Sequence, residues 1–353
     1  LMKTTIASSS GYSYQYKNMG QTSNKGVELQ LDAVLVDAKD FGLNFNFNIS
    51  YNRGKIDKLN GSSFWQSSSW AGTAAAGIED FLVEEGGRLG EVYGYKTDGF
   101  YTADDFTFDA EKGTYALKAG VNDCSSLIGG KVYPGSIKLK ANEDGEYKKE
   151  RLGNTVPTVS GGFGLNARWK GFDFTAFFNY SLGNKIVNAT KLGSSFYSGS
   201  SKNWNINDHF TSANRYSWID PSTGTNLLSS ASIKANGEAW TINRLNEVNT
   251  GSSIWNPAAA TVMPLVDWAV EDGSFLRVNN ITIGYTLPKL FVSKLNIQNI
   301  RIYVTGYNLH CFTKYSGTDP EVDCCTSTPM TPGIDYAAYP KSRSFVGGIN
   351  VTF

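Results

Sequence analysis

Residues 41–52 read Phe-Gly-Leu-Asn-Phe-Asn-Phe-Asn-Ile-Ser-Tyr-Asn, an unbroken alternation of apolar with small or amide side chains. Successive side chains of a strand point to opposite faces. Phe41, Leu43, Phe45, Phe47, Ile49 and Tyr51 therefore share one surface, while Gly42, Asn44, Asn46, Asn48, Ser50 and Asn52 share the other. A soluble sandwich would more often carry Lys, Glu and Thr on its wet side. Uncharged amides opposite a face of rings and aliphatics fit a water-filled lumen on one side and lipid on the other. Residues 344–353 repeat the rule, with Phe345, Gly347, Ile349, Val351 and Phe353 on one face and Ser344, Gly348, Asn350 and Thr352 on the other. A last strand ending on an aromatic residue points to a sheet that closes on itself.

The same alternation recurs along the chain. Val27, Leu29, Leu31, Ala33 and Leu35 alternate with Glu28, Gln30 and Asp32, and the polar stretch 37–40 joins them to residues 41–52 as a hairpin. Each arm has roughly the 9–11 residues a tilted barrel strand needs to cross a bilayer. Phe163, Leu165, Ala167 and Trp169 lead through the tight Lys170-Gly171 turn into Phe172, Phe174, Ala176, Phe178, Tyr180 and Leu182, a second hairpin. Leu276 and Val278 lie on one phase and Ile281, Ile283 and Tyr285 on the other, which predicts a bulge near Asn279-Asn280. Ile300, Ile302 and Val304 open the next strand. Connections at 37–40, 170–171 and 287–299 are short, and those around 56–158, 186–272 and 310–343 are long. With short turns periplasmic and long loops outside, about seven strands span, and Phe353 ends at the periplasmic rim. Residues 88–101 also read as extended. They form either an extracellular hairpin or, with a partner in 114–140, a further crossing that brings the total to about nine.

Bulk composition narrows the classes. With 353 residues, 41% hydrophobic and 13% aromatic, the chain is too apolar for disorder. Lys+Arg and Asp+Glu balance at 32 each, so no strong overall field recruits nucleic acid or an anionic membrane surface. No apolar run approaches the ~18 residues of a transmembrane helix, so a membrane location requires a barrel. The opening residues lack the apolar core of a secretory signal, and the chain reads as a piece of a longer one. Seven strands alone would leave two rows of backbone N–H and C=O facing hydrocarbon, so the rest of the barrel is expected from residues preceding Leu1.

Several runs resemble the C-terminal portion of the SusC/RagA-type TonB-dependent outer-membrane transporters of Bacteroidetes. They are Glu271-Asp-Gly-Ser-Phe-Leu-Arg277, Ile283-Gly-Tyr-Thr-Leu-Pro288, Phe312-Thr-Lys-Tyr-Ser-Gly-Thr-Asp-Pro-Glu-Val322 and the closing strand. Asn24-Lys-Gly-Val-Glu28, Tyr93-Gly-Tyr-Lys-Thr-Asp-Gly-Phe100 and Leu152-Gly-Asn-Thr-Val-Pro157 extend the match over nearly the whole chain. The resemblance implies an all-β fold, a transmembrane antiparallel barrel of about 22 strands with an N-terminal plug. Residues 1–353 would supply its last seven to nine or so strands and long extracellular loops, without the plug. It also implies import of oligosaccharides or oligopeptides, energised by TonB-ExbB-ExbD through the missing part. A SusD-like lipoprotein would cap the mouth, and the pair would double. The family's acidic calcium-type loop corresponds to residues 140–146, where Lys140 replaces the first ligand; a plain turn at Asp144-Gly145 is the expectation, with no metal or other cofactor.

Candidate sites lie in the long loops. Trp65, Trp70, Trp204, Trp218, Trp240 and Trp255 fall outside the strands, and Trp65, Trp70, Tyr197 and Trp204 are the candidate cargo contacts, since flat rings stack on sugar faces or peptide side chains at small entropic cost. The alternative is that such rings pack the loops together or meet the lipoprotein. Cys311 with Cys324 or Cys325 could close a disulfide in an oxidising compartment. A zinc site of His310 with these cysteines fits no standard spacing. Cys124 has no evident partner. Glu79, Asp80, Glu84 and Glu85 read as a solvated loop face, and His209 has no nucleophile beside it, so no enzyme is expected. A passive porin or adhesive barrel is the alternative to an importer, and a secreted β-sandwich lectin a more distant one.

Overall fold

The computed structural model describes residues 2–18, 20–67, 79–197, 205–292, 297–324 and 330–353. Its largest sheet has seven antiparallel strands. They are β1 (Gly20–Asp37), β2 (Phe41–Leu59), β3 (Val159–Trp169), β4 (Phe172–Leu182), β5 (Phe275–Thr286), β6 (Asn299–Thr313) and β7 (Ser344–Thr352), each paired with its neighbour in chain order. The registers turn the alternation of single strands into rows that cross the sheet. Leu31, Phe47, Phe163, Phe178 and Val278 make one row, and Phe41, Trp169, Phe172, Tyr285, Ile302 and Ile349 another. Val27, Ile283, Val304, Phe345 and Ile349 on this face are each more than half exposed. A water-soluble sheet would cover such a face. At about 3.3 Å per residue and a tilt near 45°, the rise from Phe41 to Tyr51 is roughly 24 Å, matching the apolar belt of an outer-membrane barrel.

The expected bulge is present at Asn279. Phe177 faces Asn280 and Phe178 faces Val278, so Asn279 is the extra residue, and the apolar phase changes there. The partner strand is irregular at the same height, where Asn308 has a φ of 50°.

The opposite face is held by short polar contacts. Thr175 donates to Asn166 at 3.1 Å, Asn279 to Asn179 at 3.2 Å, and the Thr282 and Thr305 hydroxyls meet at 2.8 Å. Near the short turns, ion pairs skip a strand. Arg168 on β3 reaches Asp37 on β1 across Gly42, and Arg301 on β6 binds Asp173 on β4 across Gly284. The bridged residue is glycine because a Cβ on Gly284 would stand 2.5 Å from Asp173 Oδ1 and 2.6 Å from Arg301 Nη2.

The long connections are not loose loops. Segments from all three fold over one end of the sheet around a shared apolar core, which includes Phe81, Tyr101, Phe106 and Ile137 from the first, Leu227, Leu245 and Trp255 from the second and Ile334 from the third. Residues 88–101 belong to this cap: Glu91–Gly94 pairs with Glu150–Asn154 and Thr97–Phe100 with Ile137–Leu139, outside the seven-stranded sheet. The cap also contains a kinked helix, α1 (Ser230–Val248), started by the Ser229 hydroxyl accepting from the Ser232 N–H and broken at Gly237, with φ 79° and ψ 176°. Asn142 closes the turn at 142–146 by accepting from the N–H groups of Asp144 and Glu146. The acidic run departs from the solvated reading in one residue: Asp80 is fully buried at the base of the cap.

Candidate functional site

Two of the recognisable sequence runs meet where β4, β5 and β6 leave the wall. Lys185–Asn188 continues beyond β4 and pairs antiparallel with Val270–Asp272 and parallel with Ile334–Asp335, so the second and third connections share a small sheet. Arg277, on the polar face of β5, binds Asp319 through Nη2 and Glu321 through Nε. Both Arg277 and Asp319 are buried. The Lys341 ammonium lies 2.9 Å from Glu321, and the Lys341 N–H donates to Asp319. Because Arg277 points to the polar side, its partners Asp319, Glu321 and Lys341 hold the described residues of the third connection over the polar face of the wall.

A second cluster sits one step higher. Glu271 accepts from the Ser316 N–H and O–H, both at 2.8 Å, and pairs with Lys191 at 3.1 Å. Burial alone would raise the Glu271 carboxyl, but the Ser316 donors and the Lys191 ammonium hold it below the usual carboxylate range. Lys191 also donates to the Trp268 carbonyl and lies 4.0 Å from the centre of that ring, a cation–π contact. Tyr315 donates to Asp335 at 2.7 Å, and burial pushes its phenol well up.

The second cluster borders a cavity of about 380 Å³, whose lining includes Asn188, Lys191, His209, Thr318, Asp335 and Tyr339. Amide, hydroxyl, ammonium, imidazole and carboxylate converge on it, and Tyr339 stands almost fully exposed at its edge. Behind it, Trp268 packs edge-on against Trp255, Phe210 and His209, with centroids 5.0, 5.9 and 5.8 Å apart. Such a lining can hydrogen-bond hydroxyl or peptide groups. Sequence reading passed over Trp268; its place just before the Glu271 run was the available signal.

The structure does not gather the expected aromatic contacts here. Trp65 packs edge-on against Tyr93, 5.5 Å between centroids, under the Lys149 ammonium. Tyr197 is about half exposed and its N–H is held by the Pro257 carbonyl. Trp218 and Trp255 bind the cap together, their indole N–H groups donating to the carbonyls of Pro134 and Ser195. Trp70, Trp204 and Cys325 lie outside the described residues. Cys311 carries a thiol in this structure, paired in register with Arg277. Cys124 is a buried thiol against the Tyr101 hydroxyl, and burial raises it. Among the described residues no cluster of three or more metal-ligating side chains occurs.

No protein-family profile matches the chain. TonB-dependent receptor P3 of Formosa agariphila is 29% identical over 350 residues, covering 98% of this chain and 30% of that protein. TonB-dependent receptor SusC of Bacteroides thetaiotaomicron is 23% identical over 348 residues, covering 96% of this chain and 27% of its own length. Among solved structures, the RagAB peptide transporter superposes with a TM-score of 0.63 at 22% identity, over 100% of this chain and 31% of that one. The chain thus spans about a third of the length of these relatives. None of these names is that of an enzyme. Near-complete alignment to part of proteins named TonB-dependent receptors, joined to the fold shared with part of the RagAB peptide transporter, makes this chain similar to the C-terminal portion of the SusC/RagA-type TonB-dependent transporters.

Proposed function

We propose that residues 1–353 form the C-terminal part of an outer-membrane barrel that imports oligosaccharides or oligopeptides, driven by TonB-ExbB-ExbD acting on parts of the protein outside this chain. A SusD-like lipoprotein closes over the cap, and two such pairs associate. The observation that carries this reading is the cavity of about 380 Å³ lined by Lys191, His209 and Asp335 and tied to the lumen face through Arg277. A folded cap with a polar cavity beside a polar lumen suits capture followed by passage. A protein named as a peptide transporter shares the fold, and one named SusC is 23% identical over 348 residues. Trp65 and Tyr197 are retained as outer cargo contacts.

Deleting TonB should abolish cell uptake of the cargo while leaving its surface binding intact. Uptake that persists, or steady ion conductance through the purified full-length protein, would favour the passive pore instead.

A further inference from the structure

The outward face of the first hairpin changes character abruptly. Its last apolar row is Val27 opposite Tyr51. The next row on that face is Lys25 opposite Arg53, and the one after is Ser23 opposite Lys55. Two residue steps along a tilted strand raise the first cations only about 5 Å above the aromatic rim, the level of lipid headgroups. Lys25, Arg53 and Lys55 are all exposed. The nearest acid on these strands, Asp57, accepts from the Ser23 hydroxyl at 2.9 Å, and among the described residues none of the three cations has an ion-pair partner. β3, the neighbouring strand, begins at Val159 opposite Tyr51, so it places no carboxylate beside them.

Like charges directly opposite each other on an antiparallel pair repel. Lys25 and Arg53 stand in that relation with no protein anion between them. Below them the exposed Val27, Leu29 and Leu31 form a continuous apolar track. We infer that Lys25, Arg53 and Lys55 bind the phosphate groups of a phosphorylated glycolipid of the outer leaflet, whose acyl chains lie along Val27, Leu29 and Leu31. Phosphate between the two facing cations converts their repulsion into attraction, and Arg53 offers a fork matched to phosphate oxygens. The apolar track directly beneath commits the site to a lipid, since a free anion has no use for it. The inference rests on the outer-membrane reading above.

The test uses the full-length transporter extracted from outer membranes in mild detergent, with bound glycolipid counted by native mass spectrometry. The wild type should retain phosphorylated glycolipid, and the variant Lys25→Gln/Arg53→Gln/Lys55→Gln should retain at least about tenfold less, with unchanged heat-modifiable migration on gels showing an intact barrel. Millimolar inorganic phosphate should not displace the lipid. Equal retention by wild type and variant would overturn the proposal, as would equal retention of dephosphorylated glycolipid. Displacement by inorganic phosphate would convert the site to one for free anions. A protein that reaches the outer membrane and imports cargo but holds no glycolipid refutes this site alone; a protein absent from that membrane refutes the parent reading.

Discussion

Arg277 and Arg301 make the same kind of contact in different surroundings, and burial decides what each is worth. Arg277 and Asp319 are 4% and 3% exposed at their side chains, whereas Arg301 and Asp173 are 28% and 33% exposed. Removing one partner of a buried pair leaves an uncompensated charge, at about 3–5 kcal/mol, while an exposed pair contributes roughly 0–1 kcal/mol. Arg277→Ala should therefore free residues 314–343 to limited proteolysis, and Arg301→Ala should leave the digestion pattern unchanged; equal patterns would show that the Arg277 cluster is not the tie. Asp220 in the cap gives a pH-dependent case. Hydrogen bonds from Arg244, then from the Ser222 O–H and N–H, hold its carboxyl well below the usual range. A depressed carboxylate adds stability above its unfolded value, near 4, and loses it as pH falls through the folded value. Acidification from pH 7 to about 5 should leave hydrogen exchange of α1 unchanged, with protection lost only below about 4, and Asp220→Asn should remove that acid transition.

The wall strands are the elements that sequence alone describes well, because their order is written in a period of two residues. Phe41 to Tyr51 fixes a face, and the phase change after Val278 locates Asn279 before any partner strand is known. The cap was not legible in that way. Its contacts join residues far apart in the chain: Glu238 accepts from the Phe108 N–H across 130 positions, and the Trp218 indole reaches Pro134 across 84. α1 offered no apolar stripe, and its Gly237 break suits two short helices better than one. The Glu271 and Phe312 runs stood out in the sequence, but their mutual contact through Ser316 and Arg277 depends on strand order. The belt itself carries a graded prediction. Phe45→Arg, mid-height on the outward face, should destabilise the refolded full-length barrel by about 2–4 kcal/mol, and Tyr51→Arg at the rim by about 0–1. Urea titration in lipid vesicles measures both, and equal losses would mean that this face does not meet hydrocarbon.

At the scale of the molecule, the described segments of the three long connections gather at one end of the sheet and the short turns lie at the other. An epitope inserted between Asp144 and Gly145 should be reached by antibody on intact cells, and one between Lys170 and Gly171 only after the membrane is opened; the reverse pattern would invert the orientation. The shared core of the cap also constrains biogenesis. Phe106 and Ile137 precede β3 and β4, Leu227 and Leu245 follow them, and Ile334 comes after β6, so these partners meet only when the intervening strands are in place. Until then their side chains travel without the neighbours that will shield them, a state prone to aggregation. On the outer-membrane reading proposed above, the last part to set is therefore the part that meets the cell's surroundings.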